Sequence, residues 1–359
     1  VNRQGIIALG TGVAALLIGS LALPNVLAPS TEKTGDQALA ARLSELAAES
    51  TEGQYHHLSA AIITPEGTTF AGLGADENTE MEIGSVTKTM TSLLLAQAVQ
   101  SGAVTLDDRA GDHLPLGDQP FTLEDLATHR SGLPRIDLSG GNIANLLWSQ
   151  VHASDPYSLS VDELAAVVRE APLEKPGTVS YSNMGVGTLG QAVAAAQGLS
   201  YRDLLQRDVF DRLGMTASSL PVTPDNLGPD ARGGYTETGR PAKPWTVGAE
   251  APSGGARSTA TDMARYARAL LTDDAALGIP AATVLDPRHE VGEGADIGLA
   301  WFVTQDEGRT ITWHNGGTGG HRTFLVLDRE ARKAVYVIGD TTASVDGIGL
   351  ALLREENNS

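Results

Sequence analysis

Strand-like runs lie at the two ends of this chain, and a long helical stretch separates them. Residues 57–74 read HLSAAIITPEGTTFAGLG, two β-rich segments joined through Pro65–Gly67, which predicts a hairpin turning at those residues. Strand patterns return at 298–304, 309–314, 321–328 and 332–339. Between Ser85 and about Leu271 the pattern is mostly helical, broken by Gly and Pro. An amphipathic helix is expected at 36–49, with Leu39, Leu43 and Leu46 on one face, and a last one near 345–354. Strands so far apart in sequence bury their faces together only by sharing one sheet. The pattern therefore predicts an α+β fold: an antiparallel sheet from N- and C-terminal strands, flanked by helices, with a mostly helical inserted region as the other wall of a cleft. With 359 residues the chain is long enough to bury a sizeable core.

Composition removes several classes of function. The net charge of −19 argues against nucleic acid, whose binding leans on Lys and Arg at phosphates. The chain has no cysteine, so disulfides, thiolate catalysis and thiolate metal sites are excluded. Residues 5–23 carry no charge and follow Arg3; a small-residue cleavage site lies after Ala28. That is the pattern of a signal peptide or an N-terminal membrane anchor over 1–28. Either puts the folded part outside the cytoplasmic membrane, secreted or associated with its outer face. Residues 29–35 read as a polar linker and 36–359 as one domain.

Two stretches offer a serine three residues ahead of a lysine, Ser30/Lys33 and Ser85/Lys88. A nucleophilic serine must be held against its base by packed elements. Ser30 and Lys33 fall in the expected linker, which gives no such support. GSVTKTMTSLLLAQAVQSG is different: Val86, Met90, Leu93 and Leu94 form a helical stripe, with Ser85 at the N-terminal end. Unpaired amides there favour developing negative charge. Lys88 lies one turn on, on the same face, and must shed its proton or share the task to act as base. The spacing alone is weak, as the duplicate shows.

Companions follow in order. Residues 181–183 read Tyr-Ser-Asn, and 313–320 read WHNGGTGG between two strand runs. With Ser85-Val-Thr-Lys88, Tyr181-Ser-Asn183 and His314-Asn-Gly316, the chain resembles the serine β-lactamase and D-alanyl-D-alanine carboxypeptidase family on its class C side. TLEDLATHRSGLP, VFDRLGMTASS and APSGGARSTATDMARYARALL add to the similarity, which runs from about Leu39 to the C-terminus. The resemblance implies a β-lactamase/transpeptidase-like fold and an acyl-enzyme on Ser85. Lys88 and Tyr181 would relay protons, the phenol losing its own more easily beside cationic or dipolar neighbours. It implies substrate binding by Asn183, His314, Gly316 and Gly317, with the Ser85 and Gly317 amides holding the oxyanion. Substrates would be a small peptide, a β-lactam or an ester, with cell-wall peptidoglycan as the source of the peptide. A carboxypeptidase, an esterase, and a penicillin-binding sensor that never turns over remain open. No cofactor or metal is implied.

The third motif departs from the family's Lys-Thr-Gly. His314 takes the lysine's place, so a fixed charge facing a substrate carboxylate becomes one that titrates near pH ~6.5. Arg322 is a candidate for the missing charge, though a solvent-facing arginine is the preferred reading. Other conspicuous residues read as structural. His56 and His57 should point to opposite faces of a strand, a poor metal pair. Asp107, Asp108, Asp112 and His113 sit in a turn-rich stretch, and His129 in a loop as a hydrogen-bonding residue.

Overall fold

The structure, a computed structural model, describes residues 26–137, 145, 148–292 and 294–355. The apolar run at 5–23 lies outside them. Among the described residues no helix is long and apolar enough to cross a membrane.

A nine-stranded antiparallel sheet runs through the molecule. Its N-terminal members are β1 (Lys33–Gly35), β2 (Leu58–Ile63) and β3 (Thr68–Leu73), and helix α1 (Gln37–Glu49) lies between the first two in sequence. The C-terminal members are β6 (His289–Gly292), β7 (Ala295–Ile297), β8 (Phe302–Asp306), β9 (Arg309–Gly317), β10 (Arg322–Asp328) and β11 (Lys333–Gly339). The order is β1-β3-β2-β11-β10-β9-β8-β7-β6. The two ends of the chain meet where β2 pairs with β11, Ala61 opposite Tyr336. The predicted hairpin turns where expected, with Thr64 N–H donating to Gly67 C=O at 2.9 Å. A separate two-stranded sheet, β4 (Met81–Glu82) with β5 (Arg257–Ser258), was not legible in so few residues.

Strand alternation sends side chains to two cores. Phe324, Val326, Val335 and Val337 face α1 and the last helix, α6 (Asp346–Arg354), packing with Leu43 and Leu352. Leu325, Leu327, Tyr336 and Ile338 face the helical region instead. At the centre of that region is α2 (Thr87–Gln100). Of its residues only Gln97, Val99 and Gln100 escape full burial. It is therefore a core helix rather than an amphipathic one. Its three buried threonine hydroxyls in the first turns are all bonded: Thr87 donates to Gly84 C=O, Thr89 to Val86 C=O, and Thr91 shares a bond with Tyr201. Around it pack α3 (Val161–Glu170), α4 (Asn183–Ala196) and α5 (Ala260–Thr272).

Two expectations change. Residues 33–35, read as linker, form the edge strand β1 against β3. Their small polar character suits an edge, where one side of the ladder meets solvent. The strand expected from 298 begins at Phe302, because Ala300 adopts a left-handed φ of 63° and its N–H turns to Ala127 C=O. The Ser30/Lys33 pair stays away from the motif strand β9. Five strand spacings separate β1 from β9 in the sheet order, about 24 Å.

Leu43 is fully buried between α1 and the sheet. Leu43→Ala is expected to cost about 2–5 kcal/mol in chemical denaturation, in a single transition with the rest of the domain. An unchanged midpoint would mean that α1 is not part of the cooperative unit.

Candidate active site

The site forms where β9 loses a neighbour. β8 pairs with β9 only as far as Trp313, so 314–317 are paired through β10 alone. The strand is interior in sheet order, yet its end is open. Into that opening packs the 3₁₀ turn Gly84–Val86, which leads into α2. Gly84 has φ +51°, and a Cβ there would stand 2.5 Å from Gly317 N. A Cβ on Gly316 would collide with Ile83 C=O and lie 3.0 Å from Ser85 N. Only glycines permit this backbone approach. It is pinned by Thr323 Oγ, which donates to Ile83 C=O at 2.8 Å.

Ser85 projects from the turn, and Lys88 Nζ lies 3.1 Å from its Oγ. The lysine is wholly buried. Its other partners are Asn183 Oδ1 at 2.9 Å and the Ser253 carbonyl at 2.5 Å. Burial holds the Lys88 ammonium well below the ordinary lysine range; the Arg135 charge adds to this, and Glu250 opposes it. A neutral amine has two N–H donors and one lone pair. Donating to Asn183 and Ser253 leaves the lone pair facing the Ser85 hydroxyl.

Tyr181 and Asn183 arrive at the start of α4. Ser182 caps that helix, accepting from Gly185 N–H at 2.9 Å while its hydroxyl donates to Pro134 C=O at 2.7 Å. His129 supports the loop from behind: Ser180 N–H donates to its carbonyl and Ser182 N–H to its Nδ1. Its ring lies 4.5 Å from that of Tyr181. His129 is thus structural, as the sequence reading held. Tyr181 lies beside Ser85 and under Lys88, whose Nζ is 4.8 Å from the ring centre. Burial nevertheless pushes its phenol above the usual tyrosine range, despite the Ser85 hydroxyl and the Arg135 charge. The expectation of an easily ionised phenol is therefore corrected: burial favours the protonated form of Tyr181 and the neutral form of Lys88.

His314 also departs from expectation. It is completely buried, with Nδ1 donating to Asn315 C=O at 2.6 Å and Nε2 without a partner among the described residues. Burial, reinforced by Lys88, lowers its pKa to about 3. It is a neutral ring at physiological pH and carries no charge for a carboxylate. Arg322 lies on the opposite face of the sheet, by alternation with Phe324. Its guanidinium donates to Thr318 and His321 carbonyls, so it is neither solvent-facing nor aimed at Ser85.

Four contributors escaped the sequence reading. Arg135 is exposed, with its guanidinium 5.3 Å from the Tyr181 ring. Tyr157 accepts from Asn183 Nδ2 at 2.9 Å, and burial pushes its phenol up to about 12. Glu250 is buried with Oε1 unpartnered among the described residues. Burial raises it to about 8, with the Asp137 charge adding and the Lys88 charge opposing. Ser253 acts through a backbone carbonyl, which residue identity does not advertise. Arg135 follows SGLP, and Glu250 and Ser253 lie in or beside APSGGARS; both segments carried the resemblance without suggesting these roles.

A serine in hydrogen-bond contact with a buried lysine, with a phenol close by and closely packed strand-end backbone beside it, has the form of a serine-nucleophile site on a mixed sheet-and-helix fold. The family model described as Beta-lactamase matches residues 38–355, and the chain belongs to that family. It is 29% identical over 282 residues to the D-alanyl-D-alanine-carboxypeptidase/endopeptidase AmpH of Escherichia coli (strain K12), covering 72% of this chain and 70% of that one. It is 28% identical over 310 residues to penicillin-binding protein 4 of Amycolatopsis lactamdurans, covering 76% and 74%. Among solved structures, a β-lactamase/D-alanine carboxypeptidase from Pseudomonas syringae superposes with TM-score 0.74 at 19% identity, covering 88% of this chain and 97% of that one. A class C β-lactamase from Rhodobacter sphaeroides gives 0.72 at 22%, with the same coverage. These structural matches establish the β-lactamase/transpeptidase-like fold.

The burial of His314 has a measurable sign. The unfolded chain takes up this proton near pH ~6.5, the folded one only near 3. Its contribution to stability is therefore intact above about 6.5 and is lost as pH falls through that window. In an NMR titration the His314 ring resonances should stay constant from about pH 8 to 5, whereas a mid-range titration would mean the ring is charged by solvent or substrate.

Proposed function

We propose that the protein is an exported serine hydrolase that acts through an acyl-enzyme on Ser85, most readily on D-alanyl-terminated peptides of the cell wall. The observation that carries this reading is the 3.1 Å contact between Ser85 Oγ and a wholly buried Lys88. In the proposed reaction the neutral Lys88 amine takes the Ser85 proton as Oγ bonds to the substrate carbonyl carbon. The oxyanion that forms is held by the Ser85 and Gly317 amides. The Tyr181 phenol gives its proton to the departing amine as the C–N bond breaks, and Lys88 returns a proton to Tyr181. Water then attacks the ester by the same route in reverse and restores Ser85. Asn183 orients Lys88 and donates to the substrate amide carbonyl. The extracytoplasmic site of action rests on the apolar N-terminal segment alone.

Arg135 takes over the role first given to His314. It is the exposed cation beside Tyr181, suited to a terminal carboxylate. A second reading, a carboxylesterase for small esters, is favoured by the neutral His314 in the position of the family's lysine. An acylated protein that does not turn over would share every feature but the hydrolytic step.

Ser85→Ala should abolish labelling by a fluorescent penicillin or a fluorophosphonate, and Ser30→Ala should leave it intact; the reverse result would overturn the choice of nucleophile. The decay of the label on the wild-type protein reads whether the acyl-enzyme turns over.

Arg135→Ala should lower kcat/KM for a D-alanyl-D-alanine peptide by about 10–100-fold, the worth of a charge-assisted contact. An uncharged ester should be little affected. Equal losses on both substrates would remove Arg135 from carboxylate recognition and move the esterase reading ahead.

A further inference from the structure

His56 and His57, expected on opposite faces of a strand, are side by side. β2 begins only at Leu58, so the alternation of a pleated strand does not apply to them. Their backbone is held by Ser30 N–H donating to His56 C=O and by Asp340 N–H donating to His57 C=O. The two rings lie 3.8 Å apart at 31°. Both turn their Nδ1 atoms to one carboxylate oxygen, Asp340 Oδ2, at 2.9 Å from His56 and 3.1 Å from His57. The other carboxylate oxygen, Oδ1, accepts from His57 N–H at 2.8 Å. A backbone amide thus fixes the carboxylate from behind, as second partners do for metal-binding carboxylates.

Ligand atoms from these three residues lie within 4.8 Å of one another. Two imidazole nitrogens and one carboxylate oxygen form the donor set of many open zinc centres. Bonds of about 2.0–2.1 Å in a tetrahedron place ligands roughly 3.3 Å apart. The two measured separations fall a few tenths of an ångström short of that, within the range of small ring rotations. The side chains are 25%, 36% and 11% exposed for His56, His57 and Asp340, so an ion has a route in. His57 and Asp340 also line a cleft of about 480 Å³ together with Glu80, Arg232, Tyr235 and His321. That cleft has room for a fourth ligand.

We propose that His56, His57 and Asp340 bind a zinc-class divalent transition-metal ion, with a water or an anionic oxygen from the cleft completing its coordination. On binding, any proton on either Nδ1 passes to Nε2 or to solvent, and the two Nδ1 lone pairs and Oδ2 bond the ion; no redox step is involved. The centre is separate from Ser85 but braced to its surroundings. Tyr235 N–H reaches both Asp340 C=O at 2.8 Å and Gly320 C=O at 3.3 Å. Gly320 lies in the turn that joins β9 to β10, three residues after Gly317. An ion here would stiffen the connection that ends in the strand beside Ser85, without entering the reaction.

The test is titration of the tag-free, chelator-treated full chain with Co²⁺, followed by visible absorption, and with Zn²⁺, followed by calorimetry. The expected result is a four- or five-coordinate Co²⁺ spectrum that His56→Gln abolishes, while labelling of Ser85 by a fluorescent penicillin persists in that variant. Asp340→Asn serves as a second variant: it retains Oδ1 for His57 N–H and weakens only the ligand, so it should lower affinity for both ions even if His56→Gln proves misfolded by circular dichroism. No Co²⁺ spectrum with the wild type, or a spectrum that survives in both variants, would overturn the proposal. Loss of Ser85 labelling in the wild-type protein would instead count against the reading of the active site and leave the metal result to be judged on its own.

Discussion

The burial of Lys88 is the constraint on which the rest of the site depends. An ammonium taken out of water loses its hydration, so the group either finds charges or gives up its proton. Here the surrounding oxygens are neutral: a hydroxyl, an amide and a backbone carbonyl. The nearby Glu250 is itself pushed toward its protonated form by burial. The result is an amine whose lone pair is available to the serine one turn before it. Each neighbour that satisfies the lysine belongs to a different part of the chain.

The second dependence is geometric. The turn at Gly84–Val86 presses against the end of β9, which brings the Ser85 amide beside Gly316. Gly84 and Gly316 make that approach sterically allowed, and the early end of β8 makes it topologically allowed. Ser182 and His129 do the corresponding work for Tyr181 by fixing the entry into α4. The candidate active site is therefore a junction between the sheet and the helical region.

Much of this was legible in the sequence. Strand-like apolar runs at both ends pointed to the sheet, because a strand with one or two buried faces leaves a local apolar pattern. Ser85, Lys88, Tyr181 and Asn183 were legible as candidates because their side chains make the contacts and their spacing at a helix start is local within each motif. The edge strand at 33–35 was not, since three small polar residues carry no periodicity. Arg135, Tyr157 and Glu250 were not, since their significance comes from neighbours far away in the chain. His56 and His57 were misread because alternation was applied to residues that precede the strand.

The sequence by itself determined the fold class, the choice of Ser85 over Ser30, and the set of side chains able to perform nucleophilic chemistry. It could do so because apolar periodicity and motif spacing are properties of neighbouring residues. Tertiary structure alone decided which of those groups hold protons. Lys88 is lowered, Tyr181 and Glu250 are raised, and His314 is neutral. Those states are set chiefly by loss of water around each group, and desolvation exists only after distant segments have packed.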